Sequence, residues 1–218
     1  RLMATDPPYL VDYDGTNHPG DHHKKAGRKG DDPGNKHWDD YIDHDSSVQF
    51  FEDFLRVGLA HIHDEAPIYQ WHASRRQVLV EQAWANLDLL VHQTIVWVKT
   101  KGVLTRSHFL WQSEPAFYGW QRGNQPQKHR RPPCSQTNVW ELNSENDGIH
   151  PTQKPRDVFT LPITWHTQPG EVVYEPFSGS GTQLISAEET GRRCFAMELS
   201  AAFVDVAVRR WEKTTGKK

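Results

Sequence analysis

The chain is poor in cysteine, in long apolar runs and in net charge, and each shortage narrows what it can be. Among 218 residues there are two cysteines, Cys134 and Cys194. They lie far apart and match no metal-ligand or redox spacing, which suits reduced thiols in a cytosolic setting. No apolar run approaches the roughly 18 residues of a membrane span, and no charged-then-apolar leader opens the chain, so neither membrane insertion nor secretion is expected. A net charge of −3 argues against a uniformly basic, nucleic-acid-binding coat. Any such contact has to come from local basic patches. The first residue is arginine rather than methionine, which reads as a cut or cleaved end with something before it.

What is present reads as one domain over residues 1–218, long enough to bury a sizeable core. "RLMATDPPY" is a short strand broken by its prolines, since Pro7 and Pro8 supply no backbone donor and fix φ near −65°. Residues 12–47 carry Gly, Pro, Asp, His and Lys without an apolar period, the composition of a long mobile loop. "SSVQFFEDFLRVGLAHIH" spaces Val48, Phe51, Leu55 and Leu59 as a helix does, with Ser47 as its N-cap. "APIYQWHAS" reads as a strand and "RQVLVEQAWANLD" as a helix, while "LLVHQTIVWVKT" and "HFLWQSEPAFYGW" have strand composition. Residues 121–149 are irregular again, with "QPQKHRRPP" at their centre. The remainder runs strand, glycine turn, helix, strand, helix, an alternation that predicts a largely parallel sheet covered on both faces.

Two stretches carry chemistry. In "VVYEPFSGSGT", Gly179 and Gly181 let the backbone approach a ligand and take positive φ just before a helix begins near Thr182. The helix N-terminus offers N–H groups to a carboxylate or phosphate. Leu184 stands where a dinucleotide motif has its third glycine, and no Gly-Lys-Ser/Thr follows, so neither the dinucleotide fingerprint nor a Walker loop is met. A plain strand-to-helix turn is the bland alternative. The next strand ends at Glu198, about 20 residues past the glycines, where an acid can accept both hydroxyls of a ribose. Equally, Glu198 can simply cap the helix starting at Ser200. In the opening stretch, Asp6, Pro7, Pro8 and Tyr9 form a stiff bracket holding a carboxylate and an aromatic ring apart. Such a bracket suits gripping something flat and polar, or is a rigid turn and nothing more.

"TDPPY", then "HPTQKP" at 150–155, then "EPFSGSGT" at 175–182 resemble, in that order, the DNA amino-methyltransferases, and the order is similar to the family's β-group of circular permutants. "PIYQWHAS", "TIVWVK" and "SEPAFYGW" extend the resemblance over most of the chain. It implies an α/β, Rossmann-like S-adenosylmethionine-dependent methyltransferase fold with a doubly wound, mostly parallel sheet. It also implies transfer of a methyl group from S-adenosylmethionine to adenine N6 or cytosine N4 of double-stranded DNA, in the cytoplasm of a prokaryote or phage-infected cell and within a restriction-modification setting. Asp6 as first residue of the tetrapeptide leans to adenine. Asp6 and the Pro7 carbonyl would grip the amino group within the Pro7–Pro8 bracket, and Tyr9 would stack on the base. Thr152, Lys154, Glu175, Phe177, Gly179, Gly181, Thr182 and Glu198 would hold the cofactor, with Lys154 beside its methionine carboxylate. Glu175 stands where the family usually has Asp, and the family's third cofactor strand is not visible in the sequence. His150 reads as structural. A silent cofactor- and DNA-binding module of a larger protein is the other class of reading.

Thirteen histidines, with "HPGDHH" at 18–23, raise the question of a metal. A Gly-rich polar loop fixes neither ligand spacing nor a supporting shell, so no metal is expected. Lys24, Lys25, Arg28 and Lys29 in the loop, and Lys128, Arg130 and Arg131 in 121–149, are candidates for phosphate contact or a merely solvated surface. The oligomeric state stays open between monomer and homodimer.

Overall fold

The computed structural model describes residues 1–10, 44–103, 108–143 and 154–217. Seven strands form one sheet in the order β5-β3-β4-β2-β1-β6-β7. They are β1 (Leu2–Thr5), β2 (Ile68–Trp71), β3 (Leu89–Val103), β4 (Trp111–Gln121), β5 (Val139–Glu141), β6 (Val172–Glu175) and β7 (Arg193–Ala196). β1 pairs in parallel with both β2 and β6, β6 with β7, and β3 with β5. β4 pairs antiparallel with β2 and with β3, so among the described strands it alone runs against the rest. The helices are α1 (His44–Leu59), α2 (Gln77–Asn86), α3 (Asp157–His166), α4 (Thr182–Glu189) and α5 (Ala201–Thr215). This is the doubly wound, mostly parallel architecture expected.

The period of two along β1 assigns the two layers. Leu2 and Ala4 belong to a core with Tyr69, Trp71, Trp97 and Trp140, closed by Val158, Phe159 and Ile163 of α3. Met3 points the other way, into a core with Ile68, Phe117 and Trp84, closed by Phe51 and Leu55 of α1 and by Leu79, Val80 and Ala83 of α2. Such fully buried side chains each contribute about 1.5–3 kcal/mol relative to exposure. Trp84 keeps its indole N–H satisfied by donating to Gln70 Oε1 at 2.7 Å, both groups being buried.

Three local expectations change. α1 begins at His44, so Ser47 lies inside the helix, buried, and is not its cap. Asp45 supplies the acidic first turn that favours a helix start. The polar loop expected over 12–47 accordingly gives its last residues to the helix, and residues 11–43 lie outside the described part. The segment 121–149, irregular by composition, contributes β5, whose Val139–Glu141 extend the sheet beside Val96–Val98. Among the described residues no helix is long and apolar enough to cross a membrane. Both cysteines are free thiols, Cys134 exposed and Cys194 half-buried. The third cofactor strand is not found among the described residues either, because the sheet ends there at β7.

Gly181 anchors the junction between β6 and α4. It is left-handed at φ +80, and a Cβ there would stand 2.7 Å from the Ala207 Cβ of α5. Gly181→Ala therefore combines backbone strain with a clash, and should destabilise by about 2–4 kcal/mol. Urea unfolding with an unchanged slope and a lowered midpoint is the expected result; an unshifted midpoint would contradict this packing.

Candidate active site

β1 stops where its prolines begin, because Pro7 cannot donate to a ladder. Strands β1 and β6 are parallel neighbours, yet β2 lies on the far side of β1 and β7 on the far side of β6. The strand order reverses between them, and a crevice opens at such a point, outside the carboxyl ends of the strands. The Asp6–Tyr9 bracket leaves one strand there and the glycine turn leaves the other. Leu10, just past the bracket, is buried with φ +51, a left-handed conformation that costs a non-glycine residue about 1–2 kcal/mol.

The Lys154 ammonium holds the bracket. It donates to Asp6 Oδ2 at 2.7 Å and to Tyr9 Oη at 2.7 Å, and pairs with Glu114 Oε2 at 3.0 Å. Three protons thus meet three oxygens. Tyr9 in turn donates its phenol proton to Glu114 Oε2 at 3.0 Å, and Lys99 binds the other Glu114 oxygen at 2.5 Å. The ammonium also lies 5.1 Å from the ring centre of Tyr9 and 5.4 Å from that of Trp71. Lys154 is 5 % exposed. Burial opposes its charge, but Asp6 and Glu114 outweigh burial and raise its pKa. Burial likewise opposes the charge on Glu114, and Lys154 and Lys99 overcome it, bringing that carboxyl down to about 2. Burial pushes the Asp6 carboxyl up, against the pull of Lys154. Burial also raises Tyr9 well above the usual phenol range, so it stays a donor.

Lys154 faces the Asp6–Tyr9 bracket, where two carboxylates pair with it. An ammonium this deep needs opposite charge at hydrogen-bond distance, and Asp6 and Glu114 supply it. Glu114 and Lys99 escaped the sequence reading. Their signal was a lone acid in "SEPAFYGW", a strand otherwise apolar and aromatic.

Across the crevice, Gly179 takes φ +51, and a Cβ built on it would project into open space. Its N–H donates to Glu198 Oε2 at 2.8 Å, while Ser200 N–H donates to Glu198 Oε1 at 2.8 Å. Glu198 thus bridges the glycine turn and Ser200, the residue that opens α5, without capping the helix's first turn. Glu175 turns into the protein, 1 % exposed, accepting from Thr5 Oγ1 at 2.8 Å and from Phe177 N–H at 2.9 Å. Burial pushes its carboxyl well above the usual range, which favours the protonated form, and its two hydrogen bonds tie β1 to the turn. Arg210 of α5, also missed in the sequence, clamps the turn from behind. Its Nη1 donates to Ser180 O at 2.7 Å and Ser180 Oγ at 2.8 Å, with Thr182 Oγ1 at a long 3.5 Å. Thr182 is thus buried on the inner side of the turn. Phe177 packs edge-on to Phe54, 5.0 Å between ring centres. With Val57, Tyr174, Pro176 and Met197 these rings line an apolar cavity of about 290 Å³. Among the described residues the buried Ser178 hydroxyl finds no hydrogen-bond partner, an orphan polar group of the kind a polar ligand completes.

The basic candidates divide. Arg130 grips Glu171 with both Nη atoms, at 2.6 and 2.7 Å, and donates to His166 O at 3.1 Å. That bidentate pairing ties its guanidinium to the fold. Arg131 donates through Nε to Pro126 O at 2.7 Å. Lys128 is exposed. Lys24, Lys25, Arg28, Lys29, the "HPGDHH" tract, His150 and Thr152 lie outside the described residues.

Glu175 generates a pH prediction. A carboxyl raised by burial contributes stability while protonated and loses it as pH climbs through the raised value. Glu175→Gln keeps the neutral acceptor for Thr5 and Phe177. Its stability relative to the unsubstituted protein should stay near zero at pH 5 and become increasingly favourable towards pH 9. Urea midpoints at the two pH values read this directly, and a variant weaker at pH 9 would show that Glu175 is charged.

The DNA methylase family of the N6/N4 type matches residues 1–209. The type II methyltransferase M.HinfI of Haemophilus influenzae is 25% identical over 96% of this chain and 62% of its own length. M.Cfr9I of Citrobacter freundii, another type II methyltransferase, is 30% identical over 61% of this chain and 46% of its own. The chain thus spans about half to two-thirds of the length of these relatives. Among solved structures, the cytosine-N4-specific PvuII DNA methyltransferase superposes with a TM-score of 0.72 at 14% identity, covering 99% of this chain and 83% of that one. The M1.HpyAVI–SAM complex gives 0.65 at 19% identity, covering 96% and 88%. With a crevice built from Asp6–Tyr9 and a glycine turn at the reversal of a doubly wound sheet, and a family match over nearly its whole length, this chain belongs to the N6/N4 DNA amino-methyltransferases.

Proposed function

We propose that the chain moves a methyl group from S-adenosylmethionine to the N6 amino group of an adenine extruded from double-stranded DNA. What carries the reading is the adjacency of the Asp6 tetrapeptide and the glycine turn across the β1–β6 pair. The open space at Gly179, the orphan Ser178 hydroxyl and the apolar cavity beside Phe177 and Met197 fit a polar ligand with a flat apolar part. Gly179, Gly181, Ser178 and Phe177 would hold the cofactor, with Glu198 accepting ribose hydroxyls on its remaining lone pairs. When bound, S-adenosylmethionine supplies a methyl group on a positively charged sulfur.

The rest falls to the chain's own side chains. The amino nitrogen of adenine is a poor nucleophile, because its lone pair is delocalised into the ring. Asp6 and the Pro7 carbonyl would each accept one of its N–H bonds, directing the lone pair out of the ring plane. As the new N–C bond forms and the C–S bond breaks, positive charge grows on nitrogen, and the fixed Asp6 carboxylate stabilises it. The surplus proton then leaves to Asp6 or to water. Lys154 divides its charge between Asp6 and Glu114, so Asp6 carries one ammonium contact and keeps acceptor capacity. Tyr9, tied at its hydroxyl, would present its ring to the extruded base and offset part of the stacking lost from the duplex. Lys128, Arg131 and the lysines and arginine at 24–29 would add phosphate contacts, which supply affinity and salt dependence.

Aspartate opening the tetrapeptide supports adenine. Cytosine N4 is the second reading, favoured by the superposition on the cytosine-N4-specific PvuII enzyme. Tritium-labelled S-adenosylmethionine, unmethylated DNA and nucleoside digestion decide between them: label in N6-methyladenine supports the first, label in N4-methylcytosine the second. Asp6→Ala should reduce transfer by about 1,000-fold or more, about 4 kcal/mol of transition-state stabilisation, with cofactor affinity within a few-fold by calorimetry. Glu198→Ala should weaken cofactor binding roughly 10- to 100-fold, for loss of charge-assisted hydrogen bonds. Unchanged affinity in that variant would leave Glu198 a tie between the glycine turn and Ser200 and nothing else.

A further inference from the structure

The partners of Lys154 continue outward as a row of alternating charge. Trp97 of β3 stands opposite Glu114 of β4. Alternation along β3 puts Lys99 on the face that Trp97 uses, diagonal to Glu114, a separation that a long side chain closes. Lys99 Nζ accordingly meets Glu114 Oε1 at 2.5 Å and lies 5.4 Å from the centre of the Trp97 ring. Glu114 reaches the bracket because β4 outruns β2. Trp71, the last residue of β2, pairs with Ala116, and Glu114 stands two residues beyond, on the edge where Asp6 leaves β1.

Lys99, Glu114, Lys154 and Asp6 thus stand in a row, each touching the opposite charge, at 2.5, 3.0 and 2.7 Å. Their side chains are between 5 and 27 % exposed, so water screens them less than it screens a surface pair. In such a row each charge weakens its neighbour's hold on the next. Glu114 draws Lys154 away from Asp6, and Lys99 draws Glu114 away from Lys154. Among the described residues two further titratable groups act here. Tyr9 accepts from Lys154 and donates to Glu114 Oε2. Glu175 of β6 feels the Asp6 charge, although burial is the main cause that pushes its carboxyl up. Burial raises Asp6, Lys154 lowers it and Glu114 raises it again, so two acids compete for one ammonium.

We propose that Glu114 and Lys99 are positioning residues that set, with opposite signs, how strongly Asp6 accepts the amino group of the target base. Held too tightly by Lys154, Asp6 is a weak acceptor. Held too loosely in a buried place, it keeps a proton and that oxygen accepts nothing. Glu114 guards against the first state and Lys99 against the second. Neither side chain has to touch the base. The assignment rests on the reading that Asp6 grips an amino group of DNA, and it adds what adjusts that grip.

The test is the pH dependence of single-turnover methyl transfer by the full chain. It uses tritium-labelled S-adenosylmethionine and a duplex carrying the methylated site mapped for the unsubstituted protein. The rate should fall on the acid side as Asp6 takes a proton. Glu114→Gln keeps the shape and an acceptor for Tyr9, and should move that fall to lower pH by about half a unit or more. Lys99→Met should move it to higher pH, and Lys99→Arg should leave it in place. Cofactor affinity by calorimetry should stay within about three-fold in all three variants. If Glu114→Gln does not fold, the direction of the shift in Lys99→Met, at the outer end of the row, decides alone. Shifts in the same direction, acid limbs that superimpose after scaling, or rates without an acid limb between about pH 5 and 9 overturn the assignment. If the unsubstituted protein labels no DNA at any pH, the underlying reading fails and the assignment falls with it; label with unshifted limbs defeats the assignment alone.

Discussion

The buried Lys154 ammonium is the interaction on which the rest of the site depends. It draws together residues far apart in the chain, Asp6 and Tyr9 after β1, Glu114 in β4 and Lys154 itself ahead of α3. Burying one charge alone would cost several kcal/mol, and here two carboxylates, a phenol and a second lysine share it. The grouping is close to neutral, with Asp6 and Glu114 facing Lys154 and Lys99. Removing any one of the four charges leaves the others imbalanced in the interior, so the bracket, the ends of β3 and β4 and the segment before α3 hold one another in place.

The other wall of the crevice is held by a different means. Glu175 is buried, with its carboxyl pushed towards the protonated form, and works as a hydrogen-bond acceptor between β1 and the turn. Arg210 reaches from α5 to the Ser180 carbonyl and hydroxyl. One wall is fixed by compensated charge, the other by neutral and cation-to-carbonyl hydrogen bonds. The lengthened acid at that position is accommodated by burial and by its bonds to Thr5 and Phe177.

Much of this was legible in advance, for reasons that differ from residue to residue. Pro7 and Pro8 announce the end of β1 because proline cannot continue a ladder. Gly179 and Gly181 announce the turn because the left-handed region is theirs. The period of two in β1 and the helical spacing of Phe51 and Leu55 in α1 fix which side chains face each core. Other features were not legible. Ser47 has the chemistry of a cap, yet lies buried within α1, because packing moved the helix start to His44. Arg130 has the chemistry of a phosphate ligand, yet Glu171, 41 residues on, claims it.

The sequence by itself determined the fold class, the bracket, the glycine turn and the family, because each is written in local steric rules and contiguous motifs. The tertiary structure decided which charges meet. That Lys154 pairs with Asp6, that Glu114 and Lys99 join them, and that Arg210 braces the turn all follow from contacts between distant segments. Burial then fixes the protonation of those groups. Neither proximity nor desolvation is a property of a residue's neighbours in sequence, and both appear when the sheet brings its strand ends to one edge.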